Sequence, residues 1–149
     1  MSEIPEPTVT VSLTVKDAGA ALDFYVKALG ANELFRLATP DGTVMHGEFM
    51  LGNTHMYVSS EFPQWEAFAP AEGSLCPNLL AINTEDCDAA FKVAVDAGGT
   101  VILEPEDQFW GKRTALLKDP FGYRWCIRQH IEDVSPEEMM NRAKAAMGV

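Results

Sequence analysis

Apolar and polar residues alternate over Val9–Val15 (VTVSLTV), which predicts a strand. Val11, Leu13 and Val15 fall on one face, and Thr10, Ser12 and Thr14 on the other. The period then lengthens. Ala21, Phe24, Tyr25, Ala28 and Leu29 recur at helical spacing behind Asp17, an N-cap type, and Gly30 is a terminator. Short strands follow at Glu33–Leu37, Val44–Leu51 and His55–Ser60. Pro40-Asp41-Gly42 and the hairpin pair Gly52-Asn53 supply the turns. The first part of the chain, about 8–60, thus reads strand–helix–strand–strand–strand.

Residues 61–78 break the pattern with Pro63, Pro70, Gly73 and Pro77, and read as a linker. Beyond it the same order returns over about 79–129. Leu79–Thr84 is a strand, Asp86–Ala97 a helix, and Thr100–Leu103, Thr114–Leu117 and Tyr123–Arg128 are strands. Segment 86–99 (DCDAAFKVAVDAGG) matches 17–30 (DAGAALDFYVKALG) at Asp86, Ala89, Ala90, Val95, Ala97 and Gly99, always 69 positions on. Six identities in fourteen exceed the roughly one that average usage gives. Gly42 and Gly111 keep the same offset outside the helices. The predicted fold class is α+β: two tandem βαβββ modules forming curled mixed sheets in one domain of 149 residues. A further helix is expected over about 135–147. Ser135 is its N-cap, Pro136 its first residue and Glu138 the partner in a capping box. Met139, Met140, Ala143 and Met147 give it an apolar side, suited to packing on the domain or to a dimer contact.

Composition narrows the function. Apolar content of 47% and charged content of 22% are those of a soluble globular chain. No apolar run reaches the length of a membrane span, and MSEIPEPTVT has no basic-plus-apolar leader, so residues 1–7 read as a loose lead-in. A net charge of −11 with no basic run argues against nucleic acid and anionic membranes. An anionic small substrate would need a local arginine cluster, which Arg124 and Arg128 supply if they share a strand face. Cys76, Cys87 and Cys126 form neither a zinc spacing nor a disulfide framework, and a reducing cytoplasm is the expected compartment.

The stretches VSLTVKDAGAALDFYVKALGA, ELFRLATPDGTVMHGEFMLGN, EDQFWGKRTALLKDPFGYRW and HIEDVSPEEM together resemble the vicinal oxygen chelate superfamily. That group holds glyoxalase I, extradiol dioxygenases, and fosfomycin- and bleomycin-resistance proteins. The resemblance covers about residues 8–140, and the last two stretches are similar to a glyoxalase-like bacterial branch whose members mostly lack an assigned reaction. It implies a cleft between the modules and commonly a homodimer. In metal-dependent members, a His or Gln from the first strand and a Glu from the last strand of each module hold a divalent ion. Carried over, these positions fall on Thr10 and Leu79, and on Tyr57 and Cys126, both pairs 69 apart. None is a usual ligand, so the expectation is no metal. A lone Cys in a strand is more often a small buried apolar residue.

Other residues offer substitutes. His46 and Glu48 share a strand face, at a spacing that suits a general-base pair. With His55 they form the one alternative set for a divalent metal. Thr10, Ser12, Tyr57, Leu79, Arg124 and Cys126 are expected to line the ligand site. Trp110 and Phe109 in the QFWGKR loop, and Trp65 and Phe68 in the linker, are candidates for stacking on a flat ligand. Lys112 and Arg113 are candidates for holding an anionic group. Two functions follow. One is a metal-free small-molecule binder of bleomycin-resistance type. The other is a lyase- or isomerase-type enzyme on a small oxygenated substrate, with His46 and Glu48 as base or substitute ligands.

Overall fold

A computed structural model describes residues 5–74 and 76–149. The first four residues of the expected lead-in lie outside these, and residues 5–10 form neither helix nor strand. The chain divides into two compact units, Met1–Leu75 and Cys76–Val149, with the boundary inside the expected linker. The linker contains a short 3₁₀ turn at Pro63–Trp65.

In the first unit, β1 (Val11–Val15) leads into α1 (Ala18–Leu29). Then follow β2 (Asn32–Ala38), β3 (Val44–Leu51) and β4 (Thr54–Ser60). The sheet order is β1-β4-β3-β2, with β1 parallel to β4 and the other pairs antiparallel. Asp17 starts the helix because its Oδ1 accepts the Ala20 N–H at 3.0 Å. Gly30 ends it at φ 71°, a left-handed conformation open to glycine at no steric cost. The helix lies on one face of the sheet. Leu13, Val15, Phe49, Met56 and Val58 are buried there against Leu22, Phe24, Tyr25 and Ala28. The Tyr25 and Phe49 rings stack at 5.4 Å. Burying each of these large side chains contributes roughly 1.5–3 kcal/mol. Gly47 lets Leu22 approach the backbone, and a Cβ there would overlap the Leu22 side chain.

The second unit repeats this with β5 (Leu79–Thr84), α2 (Cys87–Asp96), β6 (Thr100–Asp107), β7 (Lys112–Lys118) and β8 (Arg124–His130). Its sheet order is β5-β8-β7-β6. The Asp86 carboxylate caps α2 through the Ala89 N–H, again at 3.0 Å. Trp125, Ile127, Leu117 and Ala115 are buried with Phe91, Ala94 and Cys87 of the helix. The fold class and both modules are as the pattern predicted.

Some details differ. β1 begins at Val11, so Thr10 precedes the strand rather than sitting in it. β6 runs to Asp107, four residues past the predicted end, because β7 pairs with it to Arg113. The left-handed residue after α2 is Gly98, not Gly99. Gly99 is needed for closeness instead, since a Cβ would lie 3.0 Å from the Ala94 carbonyl oxygen. The offset of 69 also breaks inside the sheets. Tyr57 pairs with Glu48 and Cys126 with Leu116, so Glu48 and Leu116 are 68 apart (116 − 48). The cause is a bulge. Ala38↔Val44 and Leu37↔His46 leave Met45 without an opposite residue, whereas Asp107↔Arg113 and Glu106↔Thr114 follow without a gap.

The third helix, α3 (Pro136–Met147), starts as expected, with Ser135 Oγ accepting the Glu138 N–H at 3.1 Å. The Glu138 carboxylate turns to Arg142 at 3.0 Å. No residue of α3 is buried, and Met139, Met140 and Met147 stay exposed, so its apolar side is not packed within the described residues. Among the described residues no helix is long and apolar enough to cross a membrane.

Candidate functional site

In each unit the helix covers one face of the sheet, and pairing register decides what stands on the other. In the first unit two rows cross all four strands on the open face. One is Thr14–Ser59–His46–Leu37 and the next is Ser12–Tyr57–Glu48–Phe35. His55 continues β4 on the same face, opposite Met50. His46 and Glu48 come together as predicted from their spacing, with Nε2 3.7 Å from Oε1. Ser59 orients the imidazole from the other side, its Oγ 2.9 Å from Nδ1. Tyr57 lies edge-on to both histidines, 5.1 Å from each ring. Partial burial, and then the neighbouring Glu48 carboxylate, push the Tyr57 phenol above its ordinary range. Phe35 and Leu37 are about half exposed, at 49% and 51%, and give the polar rows an apolar border. Alternation along the strand places Ser59 on the face of His55 and Tyr57; Phe35 and Leu37 were not singled out from the sequence, and their signal was the strand register, which only pairing reveals.

In the second unit the rows read Leu79–Arg124–Lys118, Ala81–Cys126–Leu116–Leu103 and Asn83–Arg128–Thr114–Glu106. The open face is therefore an apolar row flanked by one row with Arg124 and Lys118 and one with Arg128 and Glu106. Burial raises the Cys126 thiol, although the nearby Arg128 charge works against this. Arg124 and Arg128 do share the face, but Arg124 is committed. Its Nε and Nη2 donate to the Cys76 and Pro77 carbonyls, both at 3.2 Å.

Trp110 stands elsewhere. It sits at the β6–β7 hairpin tip, T-shaped on Phe109 at 4.9 Å. There it borders an open depression of about 530 Å³ with Lys112, His130, Glu132, Asp133, Val134 and Ser135. Lys112 Nζ lies 3.2 Å from His130 Nδ1, and His130 Nε2 2.7 Å from Asp133. Arg113 is paired with Asp88 and Asp107, so it is not free to hold an anion. In the linker Trp65 and Phe68 are exposed, Trp65 resting on Phe62.

The positions at which the resemblance places metal ligands do not fit a divalent ion. Leu79 has no donor atom, Thr10 is neutral, and Tyr57 and Cys126 are both shifted toward their protonated forms. His46, Glu48 and His55 do not form a three-donor group either, and no such group of His, Cys, Asp and Glu exists among the described residues. The register keeps the two histidines apart, His46 opposite Ser59 and His55 opposite Met50, with the Tyr57–Glu48 pair between them.

Residues 8–127 match the family model of the glyoxalase/bleomycin resistance protein/dioxygenase superfamily. An uncharacterised protein of Mycobacterium bovis is 35% identical over 137 residues, 90% of each chain. An anthracycline biosynthesis protein of Streptomyces peucetius, DnrV, is 31% identical over 128 residues, which are 83% of this chain and 42% of that protein. Among solved structures, TioX of a Micromonospora species superposes with a TM-score of 0.66 at 23% identity, over 85% of this chain and all of that one. A family member from Burkholderia phytofirmans gives 0.66 at 20% identity, over 82% and 97%. With the paired modules, the sheet order and the family match in agreement, this chain belongs to the glyoxalase/bleomycin resistance protein/dioxygenase superfamily.

Proposed function

We propose that the protein binds a small amphipathic organic molecule on the open faces of its sheets, without the divalent ion common in its superfamily. The observation that carries this reading is the open face of the first sheet. It combines half-exposed Phe35 and Leu37 with Tyr57, His46, Glu48 and Ser59, and no helix of its unit lies over it. Apolar area with a few convergent polar groups is the usual make-up of a small-molecule site. The chemistry of Thr10, Leu79, Tyr57 and Cys126 supports a metal-free version. The Streptomyces relative is an anthracycline biosynthesis protein, which suggests a planar polycyclic probe. Titration calorimetry with an anthracycline is expected to give saturable binding that weakens on Phe35→Ala, while elemental analysis finds no stoichiometric metal. Stoichiometric zinc, nickel, manganese or iron that is lost on His46→Ala overturns the metal-free reading.

A second reading is favoured by one geometric fact, the support of His46 by Ser59 at 2.9 Å and Glu48 at 3.7 Å. An imidazole held between a hydroxyl and a carboxylate is arranged as a general base. In that case the protein is a lyase- or isomerase-type enzyme on a small oxygenated substrate. Turnover in a substrate screen, abolished by Glu48→Gln, is the expected sign, and tight binding without turnover counts against it. Self-association is part of either reading. The exposed methionines of α3 offer a surface for a second copy, and light scattering at micromolar concentration is expected to give twice the 16.3 kDa chain mass.

A further inference from the structure

Arg128 is the unusual arginine of this chain. Of the five, Arg36, Arg113 and Arg142 each pair with two carboxylates, and Arg124 donates to two carbonyls. Arg128 makes no ion pair among the described residues, and its Nε is buried with no acceptor. A guanidinium carries five donors and cannot shed its proton, so burying its Nε without an acceptor is costly unless one arrives. The chain as a whole is acidic, at −11, which makes an unneutralised cation on a sheet face more telling. Among the described residues no neighbour in its row pairs with it, and Asn83, opposite on β5, makes no hydrogen bond to it. Thr114, opposite Arg128, accepts from Gln108 at 3.1 Å. Glu106, in the same row, is two strands away, about 10 Å across the sheet.

The neighbouring row supplies the other half of a site. Ala81, Cys126, Leu116 and Leu103 run across the sheet one step along, about 7 Å from the Arg128 row. Leu103 is 60% exposed. An apolar strip beside a guanidinium fork suits a molecule with an apolar body and an oxyanion head, because the planar fork matches such oxygens in bidentate fashion.

We propose that Arg128 anchors the anionic head of an amphipathic organic acid whose apolar body lies along Ala81, Leu116 and Leu103. This rests on the small-molecule-binding reading and specifies the charge of the ligand. The test uses two fluorescent probes of similar body, anionic 8-anilinonaphthalene-1-sulfonate and neutral N-phenyl-1-naphthylamine, on the full chain. Arg128→Gln is expected to weaken the anionic probe about tenfold or more, with the neutral probe unchanged. Arg128→Lys, which keeps the charge but not the fork, is expected to fall between, and circular dichroism establishes that both variants are folded. Equal loss of both probes, or an unchanged anionic affinity in Arg128→Gln, overturns the anchor while leaving the binding reading in place. If the natural protein binds neither probe, the binding reading fails, and the anchor with it.

Discussion

The two modules share an order, a sheet topology and an Asp cap at the same distance, yet their open faces differ in chemistry. The first presents His46, Glu48, Tyr57 and Ser59, groups that exchange or share protons. The second presents Leu116, Ala81 and Cys126 between rows that carry Arg128, Arg124 and Lys118. A duplicated scaffold therefore constrains the buried face, where any change disturbs packing, and leaves the uncovered face free to diverge. Their supports differ too. In the first module α1 buries seven residues, and in the second α2 buries three. The second module compensates with a polar staple. Buried Asp119 accepts from the Phe121 and Tyr123 N–H groups at 2.8 and 2.9 Å, and from Trp125 Nε1 at 2.9 Å. The first module turns its corresponding hairpin at Gly52-Asn53, where among the described residues no buried carboxylate accepts from the turn.

This contrast can be broken most strongly at Asp119. Asp119→Ala strands the buried Trp125 N–H and two backbone donors, with an expected loss of about 4 kcal/mol in chemical denaturation. A loss under 1 kcal/mol would mean that the staple does not hold the second module. Next in size is the helix contact of the first module. Gly47→Ala is expected to cost about 2 kcal/mol through overlap with Leu22, a penalty that disappears in a Leu22→Ala background. The counterpart of Gly47, 68 positions on, is Ala115, which already carries a Cβ and packs against the smaller contact area of α2. Equal penalties in both backgrounds would show that the overlap is relieved elsewhere.

Smaller still is the effect of Arg128→Met, expected to raise stability by about 1 kcal/mol, since an unmatched donor is removed and a flexible apolar chain takes its place. A drop in melting temperature would reveal a partner for the guanidinium. The weakest effect concerns the hairpin tips. In the first module the hydroxyl of Thr39, the Thr43 N–H and the fold around them hold the Asp41 carboxyl down at about 2, against an ordinary 3.8. Its contribution is thus fully present above about pH 4 and is lost as pH falls through 2. The position 69 residues on is Trp110, which does not titrate. Following the Asp41 carboxyl by NMR is expected to give a midpoint near 2, and a midpoint near 4 would show that the tip is not ordered in solution.

Local signals carried most of the fold. Asp17, Asp86 and Ser135 cap their helices because an N-cap needs only a side-chain oxygen and the next turn's N–H groups. Strand alternation placed Leu13 and Val15 inside, and put His46 beside Glu48, for the same local reason. Those features depend on residues a few positions apart, and the sequence by itself determined them, along with the family.

What needed the tertiary structure depends on partners far along the chain. The bulge at Met45 moved the equivalence of the third strands from 69 to 68, which no repeat count could show. The loop that holds Trp110 was legible, but its place beside the C-terminal segment was not, because that depends on Gly111 lying against the Glu132 carbonyl. Arg124 and Arg128 look alike in the sequence and lie four residues apart on one strand face. Only the three-dimensional placement of Cys76 and Pro77 commits the first to backbone carbonyls and leaves the second unmatched, since hydrogen-bond satisfaction is set by which distant atoms come within bonding distance and not by residue type.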